Sequence, residues 1–309
     1  MKREPLVTVC CLTYNHQETI AQAIEGVVRQ KTDFAYEMII HDDASKDKTA
    51  EIVMDYARRY PDIIVPIIQT ENQFFKCNLA KEFVNPKARG RYIAICEGDD
   101  YWTDPLKLQK QIDYMESHPD CTMTFHAIDQ LNSDGSFSSY YPMKQSGKVP
   151  TEEVIKRGGM FCPSVSLVIR RDVCEIWPDF RLATRIYDFP IQILSAINGD
   201  VYYINEKMGV YRFAAEGSWT QAHERKTDYE HMRNEEEWLS MFNEYTESKY
   251  KDSVNYHLAR IWSVEYRKNF SAVNYKNAKK YLKLLSGMDA IKIKLRLLVY
   301  KIEEVVYGK

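Results

Sequence analysis

The chain of 309 residues reads as an α/β protein, a mostly parallel central sheet flanked by helices and followed by a helical C-terminal extension. Three observations carry that reading. Short apolar runs alternate with amphipathic stretches from residue 6 to about residue 118, the order that builds parallel sheets. Two of those runs end abruptly in carboxylates, at Asp42-Asp43 and at Glu97-Gly-Asp-Asp100, and open α/β sheets bind ligands just beyond the carboxyl ends of their strands. From about Gly217 the composition turns polar and helical, which places the end of the α/β region near residue 225.

The first strand runs from Leu6 to Asn15. In the helix after it Asn15 and Glu18 have capping-box spacing, and Ile20, Ala23, Ile24, Val27 and Val28 recur at i, i+3, i+4, i+7, i+8. Glu37 opens the second strand, which ends at Asp42-Asp43. Ser45 or Asp47 suits the N-cap of the next helix, and Ile52 and Tyr56 lie on its apolar face. Ile63 to Gln69 is a third strand, and Tyr92 to Cys96 a buried fourth. Asp104-Pro105 starts a helix that turns Leu106, Leu108, Ile112 and Met115 inward and stops near His118-Pro119. Cys121 to Leu131 is a strand, Asn132 to Gly135 a hairpin-type turn, and the Ser-, Tyr-, Gly- and Pro-rich residues 133–150 read as a mobile loop. Pro163 to Arg170 reads as a strand, Tyr187-Asp188-Phe189-Pro190 opens a helix through Ile197, and Val201 to Arg212 closes the sheet.

Glu97, Asp99 and Asp100 put three carboxylates in four residues at a buried strand end. Unpaired, they repel one another and are costly to desolvate. A cation offsets that cost, and oxygen-only ligands select a hard divalent ion, Mn²⁺ or Mg²⁺. A solvated acidic turn is the plainer alternative, and it weakens because a second acidic strand end stands upstream. The formal charge of −2 gives no basic field, which argues against nucleic acid as a partner. Seven cysteines without CxxC spacing, four of them (Cys10, Cys11, Cys96, Cys121) in strand-like runs, read as buried reduced thiols. No apolar leader or ~18-residue apolar span is present, so the expected location is the cytoplasm, extending to the inner face of a membrane.

Thr13-Tyr14-Asn15, then His41-Asp42-Asp43-Ala44-Ser45 with Asp47 and Thr49, then Ala88 to Ile93 followed by Glu97-Gly-Asp-Asp100, resemble in order and spacing the family 2 glycosyltransferases of the GT-A fold. The resemblance spans roughly residues 5 to 220. It implies a catalytic domain over 1–225, an extension over 226–309, and transfer of a sugar from a nucleotide diphosphate donor with inversion. By the same resemblance Asp100 is the direct metal ligand, with Asp99 reaching ribose or a metal-bound water and Glu97 a weaker ligand. Asp43, with Asp42 beside it, looks like the acceptor of a hydrogen bond from the base, and Tyr14 like the ring stacked on it. Thr13 and Asn15 fall in the donor site by the same match. Asp188 is the matching general base on the acceptor side, although an Asp at a helix start is also an ordinary N-cap. The expected partners are a UDP- or dTDP-sugar and a saccharide or lipid-linked acceptor.

One departure stands out. Relatives carry Tyr-Arg-x-His after the last strand, and this chain has Tyr211-Arg212-Phe213-Ala214. Arg212 is a candidate phosphate contact or a structural ion pair, His223 a substitute for the imidazole, and Trp219 a lid or an anchor for the C-terminal helices. A non-catalytic sugar-nucleotide binder stays open for that reason. A sugar-nucleotide-forming nucleotidyltransferase competes less well, because it wants a glycine-rich loop where Thr13-Tyr-Asn-His-Gln17 has none. Helical patterning covers 229–245, 254–270 and 274–285, and residues 276–301 hold eight cations against Asp289 alone. Ile291, Leu295, Leu298, Ile302 and Val305 share a helical face, while Ile291 to Leu297 also alternates as a strand does. A basic amphipathic segment fits an anionic membrane surface, or equally a packing or homo-oligomer element.

Overall fold

The computed structural model describes residues 4–184, 188–213 and 229–307. In chain order these form β1 (Val7–Thr13), α1 (Ile20–Val28), β2 (Tyr36–Asp42), α2 (Thr49–Arg59), β3 (Ile64–Ile68), β4 (Tyr92–Ile95), β5 (Tyr101–Trp102), α3 (Lys107–Ser117), β6 (Cys121–Leu131), β7 (Phe137–Tyr140), β8 (Gly147–Val149) and α4 (Thr151–Arg157). Then follow β9 (Val168–Arg170), α5 (Arg171–Cys174), α6 (Asp179–Leu182), α7 (Asp188–Asn198), β10 (Asp200–Arg212), α8 (Tyr229–Tyr245), α9 (Lys251–Asn269), α10 (Ala272–Leu282) and α11 (Gly287–Tyr307). They make two compact units, one from residues 1–151, 159–177 and 186–222, the other from 152–158, 178–185 and 223–309.

The first unit is a sheet of order β3-β2-β1-β4-β9-β6-β10-β5, with β7 beside β6 and β8 beside β10. The alternating strands and helices of the N-terminal half give four parallel neighbours, β3 to β4. Beyond β4 the sheet becomes mixed: β9 runs antiparallel to both β4 and β6, while β6 and β10 are parallel. β1 sits in the middle of the parallel half, and of its residues only Leu12 escapes full burial, as a strand covered on both faces requires. Val7, Val9 and Cys11 pack with Ile20, Ala23, Ile24 and Val27 of α1 in the main core. Gly26 lets α1 close on β5, since a Cβ there would lie 2.9 Å from the Trp102 backbone nitrogen. Trp102 is fully buried and donates its indole N–H to the Val165 carbonyl at 2.9 Å.

Several local expectations change. Residues 133–150 contain two short strands, β7 paired with β6 and β8 with β10; cross-strand pairing overrides their Gly- and Ser-rich composition. The expected strand from Pro163 begins as a 3₁₀ turn at Ser164–Ser166, becomes extended at Leu167 and pairs as a strand only from Val168. There the Pro163 carbonyl accepts both the N–H and the hydroxyl of Ser166. Asn15 does not cap α1; its backbone has a positive φ of 55° and its side chain serves a neighbouring loop. The N-cap position of α2 is Lys48 rather than Ser45 or Asp47, and Asp47 accepts the N–H of Thr49, the first helical residue, at 2.9 Å. Cys10, Cys11, Cys96 and Cys121 are buried free thiols.

In the second unit α11 is a continuous helix through Ile291–Leu297, which resolves the strand-like alternation there. Ala290, Ile293 and Leu297 form its buried stripe, and the helix packs on α9 and α10. Elsewhere in the unit Phe180, Trp238 and Phe242 pack together, and the buried His257 and Glu235 side chains lie 2.7 Å apart. The 226–309 extension thus shares its compact unit with two earlier segments. Residue 225, where the sequence places the end of the catalytic region, lies outside the described residues.

Candidate active site at the strand ends

Because β2, β1 and β4 are parallel neighbours in register, with Thr13 opposite Asp42 and Cys10 opposite Ile95, their carboxyl ends open on one edge of the first unit. Two loops there are stitched together by side-chain bonds. The Asn15 and His16 N–H groups donate to Ser45 Oγ and Thr49 Oγ1, both at 2.8 Å, and the Lys46 N–H donates to Asn15 Oδ1 at 2.7 Å. Gln17 N–H to Asp47 and Lys48 N–H to Gln17 complete the lacing. Ala44 turns the second loop with a φ of 63°.

The nucleotide-side candidates divide by surroundings. Tyr14 is 42% exposed at the strand end, a free ring face. Thr13 is buried, with its hydroxyl 3.1 Å from His16 Nδ1. Asp42 is fully buried and accepts the Ser45 hydroxyl and N–H, so its carboxylate shapes the loop. The Asp43 carboxylate accepts the Gln73 N–H at 2.8 Å and the Phe74 N–H at 3.0 Å, which fixes the segment after β3 against this edge. Sequence reading missed that segment, and with it the exposed Phe75; nothing in its polar composition separates it from an ordinary loop.

The acidic cluster follows β4. Gly98 has no room for a side chain, since a Cβ would stand 2.4 Å from Thr13 Oγ1 and 2.7 Å from His16 Nδ1. This bare position lets the turn lie against β1, held by Gly98 N–H to the Leu12 carbonyl and Thr19 hydroxyl to the Gly98 carbonyl. Glu97 accepts the Ser164 hydroxyl at 2.8 Å. Burial, then the charges of Asp99 and Asp188, push its carboxyl up to about 8 against that bond. Asp188 therefore stands within electrostatic reach of Glu97. Its Oδ1 accepts the Phe189 N–H at 2.9 Å at the start of α7.

Asp100 is 1% exposed. Antiparallel pairing of β5 with β10 sets Val210 opposite Tyr101 and brings the Arg212 N–H to Asp100 Oδ1 at 2.8 Å. The other oxygen, Oδ2, is buried with no hydrogen-bond partner among the described residues. Burial and the charges of Asp99 and Glu97 hold the Asp100 carboxyl well above the ordinary range. A buried, unpartnered carboxylate oxygen among like charges is the environment a cation relieves. No three His, Cys, Asp or Glu side chains converge as a ready cage among the described residues.

Arg212 is committed within the site. Its guanidinium donates to the Asp99 carbonyl and to Gln22 Oε1, and lies 4.8 Å over the Tyr101 ring. It braces the acidic turn, and its charge also acts on the Asp100 carboxyl, lowering what burial raises. Tyr187, Ala214, Trp219 and His223 lie outside the described residues.

A twisted α/β sheet with a metal-suited acidic turn beyond β4 is the GT-A architecture. Residues 8–177, more than half of the chain, match the family model "Glycosyl transferase family 2", and the chain belongs to that family. An uncharacterised protein of Mycobacterium tuberculosis is 36% identical over 218 residues, covering 70% of this chain and 61% of that protein. The chain thus spans about three-fifths of the length of the curated relatives it first matches. The UDP-Glc:alpha-D-GlcNAc-diphosphoundecaprenol beta-1,3-glucosyltransferase of Escherichia coli is 34% identical over 113 residues, 36% of this chain and 42% of that enzyme. Among solved structures, S. aureus TarS 1-349 in complex with UDP-GlcNAc superposes with a TM-score of 0.65 at 15% identity, covering 98% of this chain and 89% of that one. At that identity the likeness is one of fold.

Proposed function

We propose that this chain is an inverting glycosyltransferase that moves a sugar from a UDP- or dTDP-sugar to a hydroxyl of a saccharide or lipid-linked acceptor, in bacterial surface polysaccharide synthesis. The carrying observation is Asp100, whose bare, buried Oδ2 lies among the charges of Glu97 and Asp99, with Asp188 in electrostatic reach of Glu97, beyond the carboxyl ends of three parallel strands. Family membership favours transfer over nucleotide-sugar formation. The E. coli relative's name pairs a UDP-sugar with a lipid diphosphate acceptor, which supports that class of substrates here.

Residues 1–225 carry the chemistry in this reading, with 226–309 as extension. Tyr14 offers its exposed ring to the base, while Asp43 and the 73–74 backbone frame the base pocket with Asp42, Thr13 and Asn15 holding the loops. Asp100, with Asp99 and more weakly Glu97, would hold Mn²⁺ or Mg²⁺, whose charge would offset that developing on the departing diphosphate. Asp188 takes the proton of the acceptor hydroxyl as its oxygen bonds to the anomeric carbon and the bond to diphosphate breaks on the opposite face. Arg212 keeps the acidic turn in place from its bonds to Asp99 and Gln22.

The test is a thermal-shift panel of nucleotide sugars with Mn²⁺, because a ligand bound to the folded state raises the melting temperature. A rise with UDP- or dTDP-sugars, followed by an acceptor product of inverted anomeric configuration by NMR, is expected. A panel in which no nucleotide sugar raises the melting temperature, or a product of retained configuration, contradicts the reading.

A further inference from the structure

The helix α11 has two apolar faces. Ala290, Ile293 and Leu297 are buried against its own unit, whereas Met288, Ile291, Leu295, Leu298, Val299, Ile302, Val305 and Val306 are all 46% exposed or more. At 100° per residue those eight fall within an arc of about 120°. Cations border the arc on both sides, Lys294 and Lys301 on one, Lys292 and Arg296 on the other.

Acidic groups near the arc are already engaged: Asp289 with Lys156 at 2.6 Å, Glu303 with Arg267 at 2.7 Å, and Glu304 with Lys301 at 2.6 Å. Lys294 and Arg296 make no ion pair among the described residues. An exposed apolar stripe of this size marks an interaction surface. The helix does not cross a bilayer, since no helix among the described residues is long and apolar enough.

We infer that α11 lies in the plane of an anionic lipid surface, its outward stripe in the headgroup–acyl boundary and its bordering cations on lipid phosphates. Charge complementarity selects lipid over a second copy of this chain. Lys292, Lys294 and Arg296 make both borders cationic in the first half of the helix, so a parallel two-fold pairing sets like charges together, and Glu303, the acidic residue on the Lys292–Arg296 border, is already held by Arg267. Docking needs neither donor nor acceptor, so its failure leaves the transferase reading untouched.

The test is co-sedimentation of the full chain with phosphatidylglycerol vesicles at low salt, with phosphatidylcholine vesicles as control, and light scattering of each protein. Binding to phosphatidylglycerol alone, weakened by added salt, is expected. Lys292→Glu with Lys294→Glu lowers partitioning by about fivefold per cation or more. Leu295→Gln with Leu298→Gln lowers it by about tenfold or more without lowering the melting temperature, because both side chains are 57% exposed. No binding by the full chain, binding unaffected by either pair, a lowered melting temperature, or a dimer dissolved by the leucine pair would each overturn the proposal.

Discussion

Replacing Glu97 with Gln probes the crowding of carboxylates beyond β4. The glutamine keeps an acceptor for the Ser164 hydroxyl, which Glu97 binds at 2.8 Å, but removes the charge. Burial and the charges of Asp99 and Asp188 raise the Glu97 carboxyl from 4.5 to about 8. Its folded-state pKa lies above the unfolded one, so the folded protein holds this proton more tightly. The resulting stability is fully present below pH 4.5 and is lost as pH rises towards 8. The shift corresponds to about 5 kcal/mol at most, and solvent reaching this part-exposed side chain leaves about half of that observable. At roughly 2 °C per kcal/mol for a chain of this size, the metal-free protein should lose about 5 °C between pH 5 and pH 9 that the variant keeps. Thermal melts of both proteins in EDTA across that range measure it, and adding Mn²⁺ at the upper end should restore most of the wild-type loss. Parallel curves for the two proteins would refute the reasoning, since Glu97 would then ionise as easily folded as unfolded.

Asp188→Asn retains the acceptor that binds the Phe189 N–H, so stability should change by well under ~1 kcal/mol while turnover falls roughly 10²-fold or more. Near-normal turnover, measured once an acceptor is found, would move the base elsewhere. Gly98→Ala forces a methyl to within 2.4 Å of Thr13 Oγ1, and such overpacking should cost about 1–3 kcal/mol. Denaturant melts should show that loss together with weaker nucleotide binding; an unchanged midpoint would mean the acidic turn does not depend on contact with β1.

The strands that build the site were legible because their chemistry is local. Val7–Thr13, Glu37–Asp42 and Tyr92–Cys96 are largely apolar runs, the last two lead into carboxylates, and periodicity marks the helices between them. Asp100 and Asp188 were visible as acidic residues at element ends. What surrounds them was not, because Ser164 on Glu97, Gln22 on Arg212 and the Gln73–Phe74 backbone on Asp43 are partners 30 to 190 positions apart in the chain. Arg212 shows the limit: its charge suggested a phosphate or an ion pair, and the fold also places its planar fork on a carbonyl and an amide while its charge acts on Asp100. β7 and β8 were hidden by turn-forming composition, since short strands at a sheet margin depend on neighbours more than on propensity, whereas β9 was legible and only its start, expected at Pro163, moved to Val168. At Ile291–Leu297 alternate and helical patterns coincide, and burial of Ala290, Ile293 and Leu297 on one side decides for the helix.

The central claim, that Asp100 at the end of β4 holds the donor's diphosphate through a divalent cation, is tested most directly by calorimetric titration of UDP into the wild-type protein and Asp100→Asn. Each titration is run with Mn²⁺ and again with EDTA. The bare, buried Oδ2 of Asp100 predicts that Mn²⁺ strengthens UDP binding to the wild type at least tenfold and leaves the variant, still folded by its melting curve, unaffected. Equal UDP affinity in Mn²⁺ and EDTA for the wild type, or an undiminished Mn²⁺ effect in Asp100→Asn, would contradict it.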